Sequence, residues 1–196
     1  ISAYLMNHYG PEAIITHVRH MGIESPIDPV PSICLGSCDL KLIEMVGAMS
    51  TFANQGVFVK PVFITRIEDK NGNVIYRNTP VENEAMSEIA AYKTIELMKG
   101  VVQSGTGIRL RTQYGFKNPI AGKTGTTQKN SDGYFMGITP ELTTGVWVGA
   151  DDRSVHFRNT ALGQGSHTAL PIWALYMKKV YADKSLKVSQ GDFPKP

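Results

Sequence analysis

The spacing of apolar residues predicts a helical lobe over residues 1–58. Two helices are expected first, over residues 2–9 and 11–22, and a proline-rich loop follows over residues 24–37. Another helix is predicted over residues 42–53, directly before an Asn-Gln-Gly sequence that is typical of a helix end. The apolar positions of the last two helices recur every three or four residues, at Ile14, Ile15, Val18 and Met21 and at Leu42, Met45, Val46, Met49 and Ala53.

A β-hairpin is predicted over residues 60–79, where the apolar pattern changes to the two-residue period of strands. Residues 62–67 and 74–76 flank the pair Asn71-Gly72. Both residues of that pair tolerate a positive φ, which tight hairpin turns require. The two strands are therefore expected to pair with each other across this turn.

One helix and one loop follow the hairpin. Ser87 is a good N-cap for a helix within residues 86–104, because its hydroxyl can accept from the first free backbone N–H groups. The sequence Gly105-Thr106-Gly107 ends this helix. Residues 108–118 are polar and are predicted to form a loop.

Residues 118–182 predict an antiparallel sheet that is covered by a helix. The turn between its last two strands has three residues, and such a short connection permits only antiparallel pairing. The predicted elements are strands at 120–124 (ended by Gly125), 134–138 and 142–148 and a helix at 169–182. The fold class is thus α+β, with one domain over residues 1–182 and a loosely packed tail over 183–196.

Composition excludes several classes of protein. The chain has 196 residues, of which 42% are hydrophobic, and a formal net charge of +3. These values are typical of a globular domain and give no basic run for binding nucleic acid. Two cysteines cannot form a disulfide scaffold. Because the chain begins at Ile1 with a predicted helix, we expect it to be a piece of a longer protein.

The sequence Gly122-Lys123-Thr124 invites comparison with a phosphate-binding loop. Such a loop needs a glycine five positions before its Gly-Lys pair, and this position holds Lys117. It also needs a helix directly afterwards, whereas the residues that follow are polar and loop-like. The spacing therefore disfavours a nucleotide-binding protein.

Lys-Thr-Gly also suits the edge strand of a peptide-binding site. Lys123 supplies an ammonium group that holds anionic groups and assists proton transfer. Thr124 and Thr126 share one side of the strand, where their hydroxyls can bind a carboxylate. Gly125 lets a substrate lie against the strand, and the Thr126 N–H can supply half of an oxyanion hole. Thr127 is added to this set as a substrate-binding residue.

Nine segments together resemble the transpeptidase domain of class A, bifunctional penicillin-binding proteins. They occur in order and with similar spacing from about residue 1 to about residue 180. The segments are Pro31–Gly36, Glu44-Met45, Thr51–Gly56, Arg66–Asp69, Gly105–Gly107, Lys123–Thr127, Asp132–Pro140, Val146–Asp152 and Ala169–Trp173. The resemblance implies part of the fold shared by serine β-lactamases and these transpeptidases, an antiparallel sheet against a C-terminal helix with a helical lobe.

The resemblance also implies a function, the cross-linking of peptidoglycan. A serine would attack a D-Ala-D-Ala terminus, release the last D-Ala and pass the acyl group to an amine, and β-lactams would acylate the same serine. Lys123 becomes the electrostatic and proton-relay residue, and Thr124 and Thr126 contact the carboxylate and backbone. An upstream glycosyltransferase domain, a membrane anchor and an extracytoplasmic location are implied, and neither a cofactor nor a metal is.

The family's Ser-x-x-Lys and Ser-x-Asn motifs are absent, because no serine here has Lys three positions on or Asn two positions on. The resemblance places both motifs just before Ile1, so we expect this chain alone to be inactive. A non-catalytic relative that only binds peptide or β-lactam is the alternative, and the upstream serine decides between them.

Loss of the upstream segment is expected to expose apolar residues, which would favour self-association or another segment of the same protein as a cover. The exposed faces are expected to include some of the residues Leu42, Val46, Met49, Trp173 and Met177. Among the other candidates, Trp147 and Trp173 are predicted core residues, His156 a surface-loop residue, and Cys34 and Cys38 buried thiols rather than a zinc pair.

Overall fold

The computed structural model describes all residues, 1–196. Seven helices form: α1 Ser2–Tyr9, α2 Pro11–His20, α3 Leu42–Ala53, α4 Glu88–Gln103, α5 Arg109–Thr112, α6 Thr160–Gly163 and α7 Ala169–Ala182. Seven strands form: β1 Val57–Val59, β2 Arg66–Glu68, β3 Val74–Arg77, β4 Glu82–Glu84, β5 Ala121–Thr126, β6 Gly133–Ile138 and β7 Thr143–Val148. None of the helices has the length and apolar character needed to cross a bilayer.

The three longest strands form one antiparallel sheet in the order β5-β6-β7, which confirms the predicted pairing. Ala121 pairs with Ile138 and Thr126 with Gly133, so β5 and β6 match along their whole length. The predicted end of the first strand at Gly125 is wrong. The strand continues through Gly125 to Thr126 because the β6 partner Tyr134 lies directly opposite Gly125.

Helices cover both faces of this sheet. Helix α7 packs against one face through Trp173, which contacts Phe135 edge-on at 5.3 Å between ring centroids. Gly137 makes this contact possible, since a Cβ there would collide with the indole ring. Residues of α3 and α4 cover the other face, where Ile95 packs with Ala121 and Ile138. The sheet therefore holds β5 rigidly between two apolar layers.

A second small sheet was not predicted. Strands β1 and β4 pair antiparallel, so residues 57–59 are a strand and the helical lobe ends earlier than residue 58. Gly56, at φ +92°, turns the chain from α3 into β1 against the backbone of Met86. Strands of three residues are too short to produce a visible two-residue period.

The predicted loop over residues 108–118 contains the short helix α5 instead. Leu110 is fully buried in the core under α7 and fixes this turn. The Arg111 guanidinium donates to the backbone carbonyls of Phe116 and Asn118, at 2.9 and 2.7 Å. These two carbonyls therefore have hydrogen-bond partners although they lie outside a helix or strand. A short 3₁₀-helix, Pro31–Leu35, also lies within the predicted loop over residues 24–37.

The β-hairpin is confirmed but is shorter than predicted. Only Arg66–Glu68 and Val74–Arg77 pair, with a bulge between Ile67 and Glu68. The Asp69 carboxylate accepts from the backbone N–H groups of Asn71 and Asn73 at 2.8 Å and closes the turn. Every residue of the two strands is exposed, so nothing in the core extends their pairing.

The C-terminal tail is exposed over most of its length, but Phe193 attaches it to the core, which the sequence prediction did not include. Phe193 is 5% exposed and packs with the core residues of the sheet face under α3 and α4. Asp192 accepts from Lys99 at 2.9 Å, and the Ser189 N–H donates to Glu141. One buried aromatic ring therefore anchors a segment whose local composition is typical of a free tail.

Two of the five residues considered for the exposed apolar helix faces are not exposed. Trp173 and Met177 are fully buried against the sheet, which confirms Trp173 as a core residue. On α7 the exposed apolar side chains are those of the outward face: Ile172, Leu175 and Tyr176. Leu42, Val46 and Met49 are half-buried. Trp147 is not a core residue, since it is 40% exposed on β7.

Candidate active site along strand β5

Strand β5 lies at one edge of the sheet and changes from buried to accessible along its length. Ala121 and Gly122 are buried, whereas Lys123 and Thr126 are exposed. The change from buried to accessible therefore begins after Gly122. The end of β5 that carries Lys-Thr-Gly-Thr is therefore open to solvent.

The hydrogen-bond pattern shows which backbone groups of β5 face outward. The Thr127 N–H donates to the Asp132 carbonyl at 3.1 Å, on the β6 side. Because antiparallel ladder bonds alternate, Gly125 and Lys123 also bond to β6. The N–H and C=O groups of Thr124 and Thr126 then point away from β6, toward the outer edge.

Lys123 lies on the face of the sheet that α3 covers. It pairs with Met136, whose side chain lies beside Val46 of α3, and opposite residues of a pair share a face. The Lys123 ammonium donates to the Thr124 carbonyl at 2.6 Å and is exposed. This contact keeps the positive charge at the outer edge of the strand.

Thr124 and Thr126 point to the opposite face, as a strand requires. The Thr124 hydroxyl lies 2.6 Å from that of Thr106, and the Gly165 N–H donates to the Thr126 hydroxyl at 3.0 Å. The bond between Thr106 and Thr124 uses the hydroxyl proton of one of them, so the hydroxyl proton of the other is free to donate. The Thr126 hydroxyl accepts from Gly165, so its own proton is also free to donate. Thr106 and Gly165 were not predicted as parts of this site.

Thr127 belongs to a second cluster, centred on the buried carboxylate of Asp132. That carboxylate accepts from Thr127 at 2.9 Å, from Ser131 at 3.1 Å and from the Trp147 indole N–H at 2.9 Å. Burial raises the pKa of Asp132, but these hydrogen bonds and the charge of Arg153 outweigh burial and hold the pKa below its usual value. Asp132 therefore stays ionised at the end of the strand.

An open cleft of about 1060 Å³ runs between β5 and the helical lobe. Its charged lining residues are Lys123, Lys129, Arg153 and Asp39, and Arg153 pairs with Asp39 across the cleft. The excess of positive charge favours an anionic ligand. All five predicted site residues, Lys123, Thr124, Gly125, Thr126 and Thr127, line this cleft.

Two other sequence candidates also border the cleft. His156 is exposed, as predicted for a surface loop, and it lines the cleft as well. Cys38 lines the cleft, and burial, followed by the charge of Asp39, raises the pKa of its thiol. Cys34 and Cys38 are both half-buried free thiols. No group of three or more His, Cys, Asp or Glu side chains is arranged to hold a metal ion.

Comparison with known proteins gives a consistent result for this chain. The family model described as the penicillin binding protein transpeptidase domain matches residues 35–172. Penicillin-binding protein 1A of Aquifex aeolicus is 34% identical over 176 residues, which cover 90% of this chain and 23% of the relative. Penicillin-binding protein 1B of Vibrio cholerae is 36% identical over 152 residues, 78% of this chain and 19% of the relative.

Solved structures agree with these relatives. The penicillin-binding protein PonA1 of Mycobacterium tuberculosis is 26% identical, with a TM-score of 0.80 over 99% of this chain and 55% of that one. PonA1 is also known in complex with penicillin V, at a TM-score of 0.76 over 95% of this chain and 53% of that one, with 24% identity. The chain spans about a quarter or less of the length of the two curated relatives. It belongs to the family of penicillin-binding protein transpeptidase domains.

Proposed function

We propose that this chain forms the Lys-Thr-Gly wall of the active site of a serine D,D-transpeptidase that cross-links peptidoglycan stem peptides. One observation carries the proposal: the outward backbone groups of Thr124 and Thr126 meet the Lys123 ammonium at the open edge of a rigid strand. An extended peptide can add to such an edge as a further strand. A peptide that ends in a carboxylate also suits the positive cleft.

The nucleophile of the proposed reaction lies outside these 196 residues. No serine in the chain has a lysine three positions on, and the chain spans only part of its relatives. The complete protein would hold this serine on another segment facing the cleft. It would also carry the glycosyltransferase domain and the membrane anchor of the class A proteins, with the cleft on the extracytoplasmic side.

Threonine hydroxyl groups would bind the terminal carboxylate of the reacting peptide, and the backbone of Thr126 would bind its attacked carbonyl and its amide. The free O–H groups of the Thr106–Thr124 pair and of Thr126 would donate to the terminal carboxylate of D-Ala-D-Ala. The Thr126 N–H would donate to the oxygen of the attacked carbonyl, where negative charge develops. The Thr126 carbonyl would accept an amide N–H of the substrate backbone.

The chemistry would proceed in two acyl transfers. The serine oxygen attacks the carbonyl carbon of the penultimate D-Ala, the C–N bond breaks and the last D-Ala leaves with a proton on its amine. An amine of a second stem peptide then attacks the ester and releases the serine. Lys123 would stabilise the anions of both steps and assist proton transfer without leaving the strand edge. A β-lactam would acylate the serine through its strained ring amide.

Covalent labelling with a fluorescent penicillin tests the proposal. The full-length protein should carry a label that survives denaturation and is lost when a D-Ala-D-Ala peptide or unlabelled penicillin is added first. The 196-residue chain alone should carry none, because its oxyanion donor has no acyl group to stabilise. A full-length protein that binds peptide but is never labelled would instead be a non-catalytic relative. A label mapped to any serine of this chain would refute the assignment of the nucleophile.

A further inference from the structure

Asp132 is the one charged residue among the buried residues of the chain, with 6% exposure. It lies six positions after Thr126, across the loop that connects β5 to β6. A carboxylate is costly to bury unless donors surround it. Three uncharged donors and Arg153, whose Nε lies 3.8 Å away, do so here. The family reaction as proposed above assigns Asp132 no role.

Asp132 and Thr127 are joined by hydrogen bonds that involve both their backbone and their side chains. The Thr127 N–H donates to the Asp132 carbonyl at 3.1 Å, and the Asp132 N–H donates to the Thr127 hydroxyl at 2.9 Å. That hydroxyl in turn donates to the Asp132 carboxylate at 2.9 Å. Three hydrogen bonds therefore close the loop immediately after Thr126, so this residue cannot shift along the strand without breaking them.

The loop that these bonds close is conformationally unfavourable. Lys129 and Asn130 both adopt left-handed conformations, with φ of 60° and 58°, which side-chain-bearing residues rarely do. Such conformations persist only where the surroundings enforce them. Ser131 donates to the Asp132 carboxylate from inside the loop, so the same carboxylate stabilises the strained segment.

A hydrogen bond of the carboxylate also connects this loop to β7, the strand at the opposite edge of the sheet. The Trp147 indole N–H of β7 donates to one oxygen at 2.9 Å, while Thr127 and Ser131 bind the other. Trp147 is otherwise half-exposed and adds little to the core. Its indole thus serves to orient Asp132 rather than to fill the interior.

We infer that Asp132 is a positioning residue, which fixes the Thr126 N–H at the place where the oxyanion forms. The inference rests on the proposed function. Asp132 itself would touch no substrate and would act through Thr127, one residue beyond the oxyanion donor. A small displacement of an aligned group costs much of its catalytic effect. Asp132 should therefore matter for the acylation step more than for noncovalent binding.

The test compares the full-length protein with its Asp132→Asn variant in the reaction with a fluorescent penicillin. Asparagine keeps the volume but has only one accepting oxygen, so the Trp147 donor or the two hydroxyl donors lose their acceptor. The acylation rate constant should fall about 10- to 100-fold, while the dissociation constant of the noncovalent complex changes less than about threefold. The matched control is Asp69→Asn, because Asp69 also accepts three hydrogen bonds but lies in the exposed hairpin.

Every outcome of this comparison either supports or overturns the positioning role of Asp132. An acylation rate constant within about twofold of the wild type overturns the inference, as does a loss confined to the dissociation constant. If Asp132→Asn does not fold, Trp147→Phe decides, since it removes the indole N–H donor and keeps an aromatic ring at this position. A fall of about three- to tenfold in its acylation rate constant supports the inference, and no change overturns it. A wild-type protein that is never acylated refutes the proposed function itself, which is a different result.

Discussion

In the full-length protein, Lys123→Ala is expected to lower the rate of acylation by a penicillin about 100-fold or more. The Lys123 ammonium lies at the outer edge of β5, bound to the Thr124 carbonyl at 2.6 Å. Its removal takes away the charge that would stabilise developing anions and assist proton transfer, and such a group contributes about 10²–10⁴-fold to a rate. Stopped-flow or gel-based labelling rates measure the effect.

Lys117→Ala is the matched control for this substitution. Lys117 is exposed, lies shortly before β5 and does not line the cleft. Lys117→Ala removes the same charge and the same side-chain atoms as Lys123→Ala, but outside the cleft. The labelling rate of this variant should therefore match that of the wild type. Equal labelling rates for Lys123→Ala and wild type would show that Lys123 has no part in the chemistry.

Gly165→Ala is expected to lower both the stability of the protein and its labelling by penicillin. A Cβ at Gly165 would collide with the backbone carbonyls of Gly125 and Tyr134, which lie in the ladder between β5 and β6. Backbone atoms that are hydrogen-bonded between two strands cannot move aside without breaking those bonds, so we expect a loss of about 1–3 kcal/mol in the free energy of unfolding. Separation of Gly165 from Thr126 would also break their 3.0 Å hydrogen bond and reduce penicillin labelling.

Gly100→Ala provides the contrast. Gly100 lies within α4, and a Cβ there would meet nothing within 4 Å. Alanine is favoured over glycine in a helix, so this variant should gain up to about 1 kcal/mol and label normally. Thermal or urea unfolding of the two variants measures the difference. A Gly165→Ala protein as stable and as reactive as Gly100→Ala would contradict the close contact between this loop and β5.

Periodicity in the sequence was sufficient for most of the fold. The helix at 169–182 was predicted because its apolar positions recur at helical spacing. The antiparallel pairing of β6 with β7 was predicted because the turn between them is short. Strands β1 and β4 have three residues each and give no such pattern. The attachment of the tail to the core was not predicted because it depends on a single residue, Phe193.

The site was predictable only as far as it is continuous in sequence. Lys123 to Thr127 are consecutive, and their alternation along a strand indicated which groups share a side. Thr106 contacts Thr124 from 18 positions away and Gly165 contacts Thr126 from 39 positions away. Trp147 contacts Asp132 from 15 positions away, so only the folded chain brings these residues together. For this reason Asp132 was noticed within a matching segment but was given no role.

The most direct test of the proposed active site is a crystal structure of the full-length protein acylated by a penicillin. We predict that the oxygen of the acyl carbonyl lies about 2.7–3.1 Å from the Thr126 nitrogen. The penicillin carboxylate should lie within hydrogen-bonding distance of the Thr124 or Thr126 hydroxyl. An adduct whose carbonyl and carboxylate both lie away from β5 would contradict the proposal that this strand forms the active-site wall.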